Sequence, residues 1–148
     1  MAGFHFQGTS ALALDAKGRF SVPARHREML AIVPEDRPTL TLTRHPDGCL
    51  MVFPRAVWED FRVRIASLPL SASGWKRLLL GSAMEVELDS ASRVLVSPEL
   101  RAAAALDRQV LLIGMGNHLE LWDVQRHSAA EAALLQQPMP AQLQDFSF

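Results

Sequence analysis

A chain of 148 residues, 49% hydrophobic and 21% charged, has the composition of one compact domain or of two small halves sharing a core, which excludes overall disorder. It has no apolar run near the roughly 20 residues of a membrane span, and its single cysteine, Cys49, excludes an internal disulfide. The net charge of −1 gives no sign of a uniformly basic surface, but it averages segments of opposite sign. Residues 15–28 carry Lys17, Arg19, Arg25 and Arg27 against Asp15 and Glu28, whereas residues 103–148 are mainly acidic.

In chain order, Ala11 to Leu14 and Phe20 to Val22 read as short strands either side of Asp15-Ala16-Lys17-Gly18. Gly18 suits a tight turn, so a hairpin is expected with Lys17 at its tip and Arg19 at its exit. Pro23 opens a helix through Ala31, which Pro34 and Pro38 end. Leu40–Thr43 and Leu50–Phe53 form a second hairpin around a turn containing Pro46 and Asp47-Gly48. Trp58, Phe61, Ile65 and Leu68 then recur at helical spacing, with Glu59, Arg62 and Arg64 on the solvated side. Leu70 to Gly74 is the candidate connector, with Ser73 expected to cap a helix over 75–80 and Gly81 to stop it.

The first motif then returns. Leu14-Asp15-Ala16-Lys17-Gly18-Arg19-Phe20-Ser21-Val22-Pro23 has a copy in Leu88-Asp89-Ser90-Ala91-Ser92-Arg93-Val94-Leu95-Val96-Ser97-Pro98. Strands at Glu85–Leu88 and Val94–Val96 flank the second turn. Ser97-Pro98-Glu99 starts a helix expected to run to about Leu106. Val110–Ile113, the turn at Gly114-Met115-Gly116-Asn117, and Leu119–Trp122 repeat the second hairpin. Asp123 caps a helix over Val124 to Gln136, and the tail from Pro138 shows no pattern, although Phe146 and Phe148 are available to dock on a neighbour. Each half thus reads strand–turn–strand–helix twice. Since four strands cannot bury both faces of so small a sheet, the halves are expected to combine into one barrel-like core with internal pseudo-twofold symmetry.

Asp15 and Arg19 bracket the first turn, as Asp89 and Arg93 do the second. Each Asp can hold its loop by accepting backbone N–H groups, while each guanidinium can either pair with that Asp or offer a preorganised fork to phosphate or guanine. Lys17 points to a phosphate contact, and Arg25 and Arg27 either extend that surface or solvate their helix. Enzymatic readings find little support. His5, His26, His45, His118 and His127 lack a metal-like spacing and read as surface or turn residues, and Cys49 has no cysteine nearby, so neither metal nor cofactor is expected. Gly114-Met115-Gly116 lacks the third glycine and the helix of a dinucleotide fingerprint.

The first motif through Arg27 resembles the MraZ family of bacterial transcriptional regulators, marked by a duplicated Asp-x-x-x-Arg. The likeness continues through Leu79-Leu80-Gly81-Ser82-Ala83, Asp89 to Arg93, Ser97 to Arg101, and Gly116-Asn117-His118-Leu119-Glu120-Leu121-Trp122-Asp123. It implies an α+β fold of two tandem AbrB-like swapped-hairpin units, at 9–56 and 83–126, with a helical connector over 57–82 and a C-terminal helix and tail over 127–148. It also implies ring-shaped homo-oligomers of about eight or more subunits, binding double-stranded DNA at short direct repeats upstream of their own operon in the division and cell-wall gene cluster.

The resemblance assigns the DNA contacts to Asp15, Lys17, Gly18 and Arg19, and to Asp89 and Arg93. One departure stands out: the position before the second Arg, usually Gly in the family, is Ser92, so a differently shaped second loop is expected. The expected setting is cytoplasmic and nucleoid-associated, with neither membrane nor small-molecule substrate, as Met1-Ala2-Gly3-Phe4-His5 has no secretory character. The alternative is a ring-forming scaffold without sequence-specific DNA binding.

Overall fold

The computed structural model describes residues 3–30 and 37–146. Strands β1 (Thr9–Ala13) and β2 (Arg19–Ser21), helix α1 (Ala24–Leu30), strands β3 (Thr39–Arg44) and β4 (Leu50–Pro54) and helix α2 (Arg55–Ala66) make the first half. A 3-10 turn over Leu70–Ala72 and helix α3 (Ser73–Leu79) follow. Strands β5 (Met84–Glu87) and β6 (Arg93–Leu95), helix α4 (Pro98–Ala103), strands β7 (Gln109–Gly114) and β8 (Leu119–Asp123), and helices α5 (Val124–Leu135) and α6 (Ala141–Gln144) complete it.

Six strands pair in the order β1-β7-β8-β4-β3-β5, and β2 pairs with β6 as a separate ribbon. The expected hairpin of the first motif is therefore corrected: β1 runs antiparallel to β7, and β2 to β6, so the two strands flanking the turn go to different sheets. Both second hairpins, β3–β4 and β7–β8, form as expected. The six-stranded sheet is open, and the ribbon packs on it to close the core rather than joining it.

The repeat is visible in the pairing. Exchanging β1 with β5, β2 with β6, β3 with β7 and β4 with β8 reverses the strand order onto itself. The register obeys the same exchange, because Arg19 faces Leu95 while Arg93 faces Ser21, and Leu50 faces Leu121 while Val52 faces Leu119. The pseudo-twofold axis thus passes through the Phe20–Val94 and Met51–Glu120 pairs.

Strand alternation places Leu40, Leu42, Leu50, Val52, Val110, Leu112, Leu119 and Leu121 on one face, where they pack with Phe20, Val22, Val94 and Val96 from the ribbon segments. Burying each such side chain stabilises the fold by about 1.5–3 kcal/mol. On the other face Met51 and Phe53 pack with Leu79 and with Val57, Trp58, Phe61 and Ile65 of α2. That second cover explains why β3 is buried on both sides, with Thr43 satisfied by donating its hydroxyl to the Leu79 carbonyl. Gly114 permits another close approach: a Cβ there would stand 2.2 Å from the Gln7 nitrogen, where the N-terminal segment crosses β7.

Helix boundaries follow their local chemistry. Ser97 accepts the Leu100 N–H and Asp123 accepts the Arg126 N–H, as expected of N-caps. Ser73 does not cap α3; it is the first helical residue, and its hydroxyl donates to the Leu70 carbonyl at 2.6 Å, tying the helix to the preceding 3-10 turn. Helix α4 stops at Ala103, short of Leu106, because Ala105 adopts φ 52° and the Leu106 N–H returns to the Arg101 carbonyl. The tail contains α6 where no pattern was expected. Pro34 and Phe148 lie outside the described residues. Among the described residues no helix is long and apolar enough to cross a membrane.

Candidate nucleic-acid interface

In the first loop Asp15 Oδ1 accepts the backbone N–H of Lys17 and of Arg19, both at 2.9 Å, while Oδ2 accepts from Arg19 Nε at 2.7 Å. The second loop repeats every bond. Asp89 Oδ1 accepts from the backbone of Ala91 and Arg93 at 2.9 Å, and Oδ2 accepts Arg93 Nε at 2.9 Å. Gly18 has φ 84° and Ser92 has φ 58°, so Ser92 takes the left-handed conformation that glycine would adopt without strain. The expectation of a differently shaped second loop is thus overturned, since the Asp89 hydrogen bonds hold Ser92 in place despite its side chain.

These bonds also set the electrostatics. The Arg19 backbone N–H, followed by its side chain and the Lys17 N–H, brings the Asp15 carboxyl down to about 2 against a partial opposing effect of desolvation. Asp89 is lowered in the same way, first by the Arg93 backbone bond. Each carboxylate is thereby a fixed anion that holds one guanidinium by Nε, with the Arg19 and Arg93 side chains 25% and 35% exposed.

The ribbon aims both forks the same way. Phe20 and Val94 point inward at 1% and 0% exposure, so alternation puts Arg19, Ser21, Arg93 and Leu95 on its outer face. The two arginines occupy diagonal corners about the pseudo-twofold axis. Crossed hydrogen bonds clamp the ends: Val22 N–H donates to the Ser92 carbonyl at 3.0 Å, and Val96 N–H to the Gly18 carbonyl at 2.9 Å.

Each loop is backed by the helix of the other half. Arg101 of α4 lies against Gly18 and donates from Nε to the Val96 carbonyl at 3.1 Å, and together with Asp107 and Arg108 it lines the hollow behind the first loop. Arg27 of α1, the repeat equivalent of Arg101, lines the corresponding hollow beside Asp89, Ser90 and Ser92, with Arg37 nearby. Cations therefore outnumber carboxylates around both loops despite the nearly neutral chain.

Of the expected site residues, Asp15, Lys17, Gly18 and Arg19 share one loop, Asp89 and Arg93 the other, and Arg27 joins the second. Arg25 is drawn elsewhere: it donates to the Ser10 hydroxyl at 2.8 Å and stands over Gly8. Arg101, Arg108 and Arg37 were not singled out from the sequence, although aligning Arg27 with Arg101 across the repeat would have shown the first of them. His26, expected at the surface, is buried against Phe6 at a centroid distance of 5.4 Å, and burial followed by the Arg25 charge lowers its pKa. Its repeat equivalent is the core residue Leu100.

Comparison with known proteins adds an independent finding. The profile of the family described as "MraZ protein, putative antitoxin-like" matches residues 5–78 and again residues 79–145. A protein of Leptothrix cholodnii is 72% identical over 148 residues, and one of Methylibium petroleiphilum is 63% identical over 148 residues, each match spanning 100% of both chains. A protein of Ralstonia pickettii is 60% identical over 143 residues, covering 97% of this chain and 99% of its own. All three carry the name "Transcriptional regulator MraZ".

Proposed function

The chain belongs to the MraZ family, and from that premise we propose that it is a transcriptional regulator that reads DNA with the ribbon formed by β2 and β6 and its two Asp–Arg loops. The observation that carries this reading is the presentation of Arg19 and Arg93 on one outer face by two loops with the same hydrogen bonds. A two-stranded antiparallel ribbon fits the major groove, about 12 Å wide in B-DNA, and arginine forks match the O6 and N7 acceptors of guanine. Lys17, at the tip of the first loop, supplies a phosphate contact, and Arg27 and Arg101 stiffen the loops from behind while adding to the positive field.

The targets in this proposal are short direct repeats upstream of the chain's own operon, within the division and cell-wall gene cluster. The units at 9–56 and 83–126 act as its two readers, on nucleoid DNA in the cytoplasm. A head-to-tail ring supplies the avidity. Val63, Leu70 and Trp75 leave an apolar surface around α2 and α3, and Leu134 and Leu135 leave another on α5. Joining two different patches of identical subunits makes a heterologous contact, which closes into a ring when the rotation allows. Successive repeats then engage successive subunits at high effective concentration.

The test is a footprint and a binding titration on the upstream region with Arg19→Ala and Arg93→Ala. Each substitution should weaken binding by about 1–3 kcal/mol, and Lys17→Ala should reduce the salt dependence by about one released ion. Unchanged affinity in both arginine variants, with fold and oligomer intact, refutes the assignment. Equal affinity for random duplex would instead favour a scaffold whose basic loops bind acidic protein surfaces.

A further inference from the structure

On the sheet face opposite the ribbon, the turn between β3 and β4 brings His45 and Cys49 against Glu120 of β8. One ligand atom from each residue lies within 4.8 Å of the other two. We propose that His45, Cys49 and Glu120 form a binding site for a zinc-class divalent metal ion.

The donor set is the first argument. Imidazole nitrogen, thiolate sulfur and carboxylate oxygen are the three protein ligands zinc accepts, with the fourth position left to water. Tetrahedral coordination at these bond lengths puts ligand atoms about 3.4 Å apart, and His45 Nε2 already stands 3.7 Å from Glu120 Oε2. Only small side-chain movements separate the present arrangement from a coordinated one.

Glu120 is the second. Its side chain is 10% exposed, and Oε1 is fixed by the Trp122 indole N–H at 2.9 Å, which orients Oε2 toward the His45 side. The nearest ring nitrogen is too distant for a hydrogen bond. A buried carboxylate placed beside a buried thiol favours a dication, which compensates both once the sulfur has lost its proton.

The surroundings supply an orienting partner and an entrance. His45 Nδ1 accepts the Asp47 backbone N–H at 2.9 Å, so ligation through Nε2 requires the Asp47 N–H to give up this bond as the ring turns and the proton to move to Nδ1. That nitrogen is 3.8 Å from Asp47 Oδ2, which can take the new N–H as carboxylates do for metal-bound imidazoles. The His45 side chain is 25% exposed and opens the group to solvent, while Arg126 holds the turn by donating to the Gly48 carbonyl at 2.9 Å. The pseudo-twofold equivalents of the three ligands are Met115, His118 and Met51, which lack both thiolate and carboxylate, so one ion per chain is required.

The test uses the full chain, stripped with a chelator, dialysed and titrated with Co2+ and then Zn2+. The expected result is one Co2+ per chain with a thiolate-to-cobalt charge-transfer band that Zn2+ abolishes. Cys49→Ser should remove the band, and Glu120→Gln and Asp47→Asn should each weaken affinity by at least about tenfold. Absence of saturable binding at one ion per chain, or a band that persists in Cys49→Ser, overturns the proposal. Should circular dichroism show Cys49→Ser unfolded, His45→Gln decides: lost Co2+ affinity in a folded chain supports the site, and unchanged affinity overturns it.

Discussion

Gly18→Ala tests the loop geometry most directly, because one methyl group disturbs both the backbone and its support. Holding a non-glycine residue at φ 84° costs about 1–2 kcal/mol. The added Cβ would stand 2.6 Å from Arg101 Nε and 2.7 Å from Cζ, so the guanidinium must move. Moving it breaks the 3.1 Å bond to the Val96 carbonyl, worth about 0.5–1.5 kcal/mol. Against this, alanine restricts the unfolded chain and returns about 0.4–1 kcal/mol. The net expectation is a loss of about 1–2.5 kcal/mol, which for a chain of this size lowers Tm by roughly 3–8 °C. Thermal and urea unfolding followed by circular dichroism, at one fixed protein concentration, measure it. A Tm within about 1 °C of the parent would show that neither the left-handed backbone nor the Arg101 contact constrains the first loop.

Ser92→Gly is the reciprocal change at the pseudo-equivalent position: relief of the left-handed serine outweighs the added freedom of unfolded glycine, giving about 0.5–1 kcal/mol of stabilisation by urea unfolding. Asp15→Asn addresses pH. A carboxyl at about 2 in the fold and at its ordinary 3.8 when unfolded binds fewer protons folded, so its contribution is complete above about pH 4 and disappears as the pH falls through 2. The variant should flatten the acid limb of Tm against pH over that window, and an unchanged limb would refute the assignment of Asp15 as a fixed anion.

Local signals proved sufficient for most of the elements. Hydrophobic alternation, the Asp47-Gly48 turn, and the caps Ser97 and Asp123 act within a few residues, so strands, turns and helix starts could be placed from the chain alone. The two Asp-x-x-x-Arg loops were legible for the same reason, since each Asp bonds groups two and four residues ahead. Ser73 misled because a serine before an apolar run suits either an N-cap or a first-turn position, and its hydroxyl found the Leu70 carbonyl instead.

Partners distant in sequence belonged to the tertiary structure. A turn shows that the chain reverses but not which strand it will meet, so only the assembled sheets sent β1 to β7 and β2 to β6. That exchange puts Arg101 behind the first loop and Arg27 beside the second, and the pairing of β4 with β8 brings Glu120 to the His45–Cys49 turn. Repetition in the sequence determined that there would be two Asp–Arg loops, and the structure decided that Ser92 would share the left-handed conformation of Gly18 and make them alike. The pairing of β2 with β6, driven by burial of Phe20 and Val94 at the axis, decided that both arginines share one face.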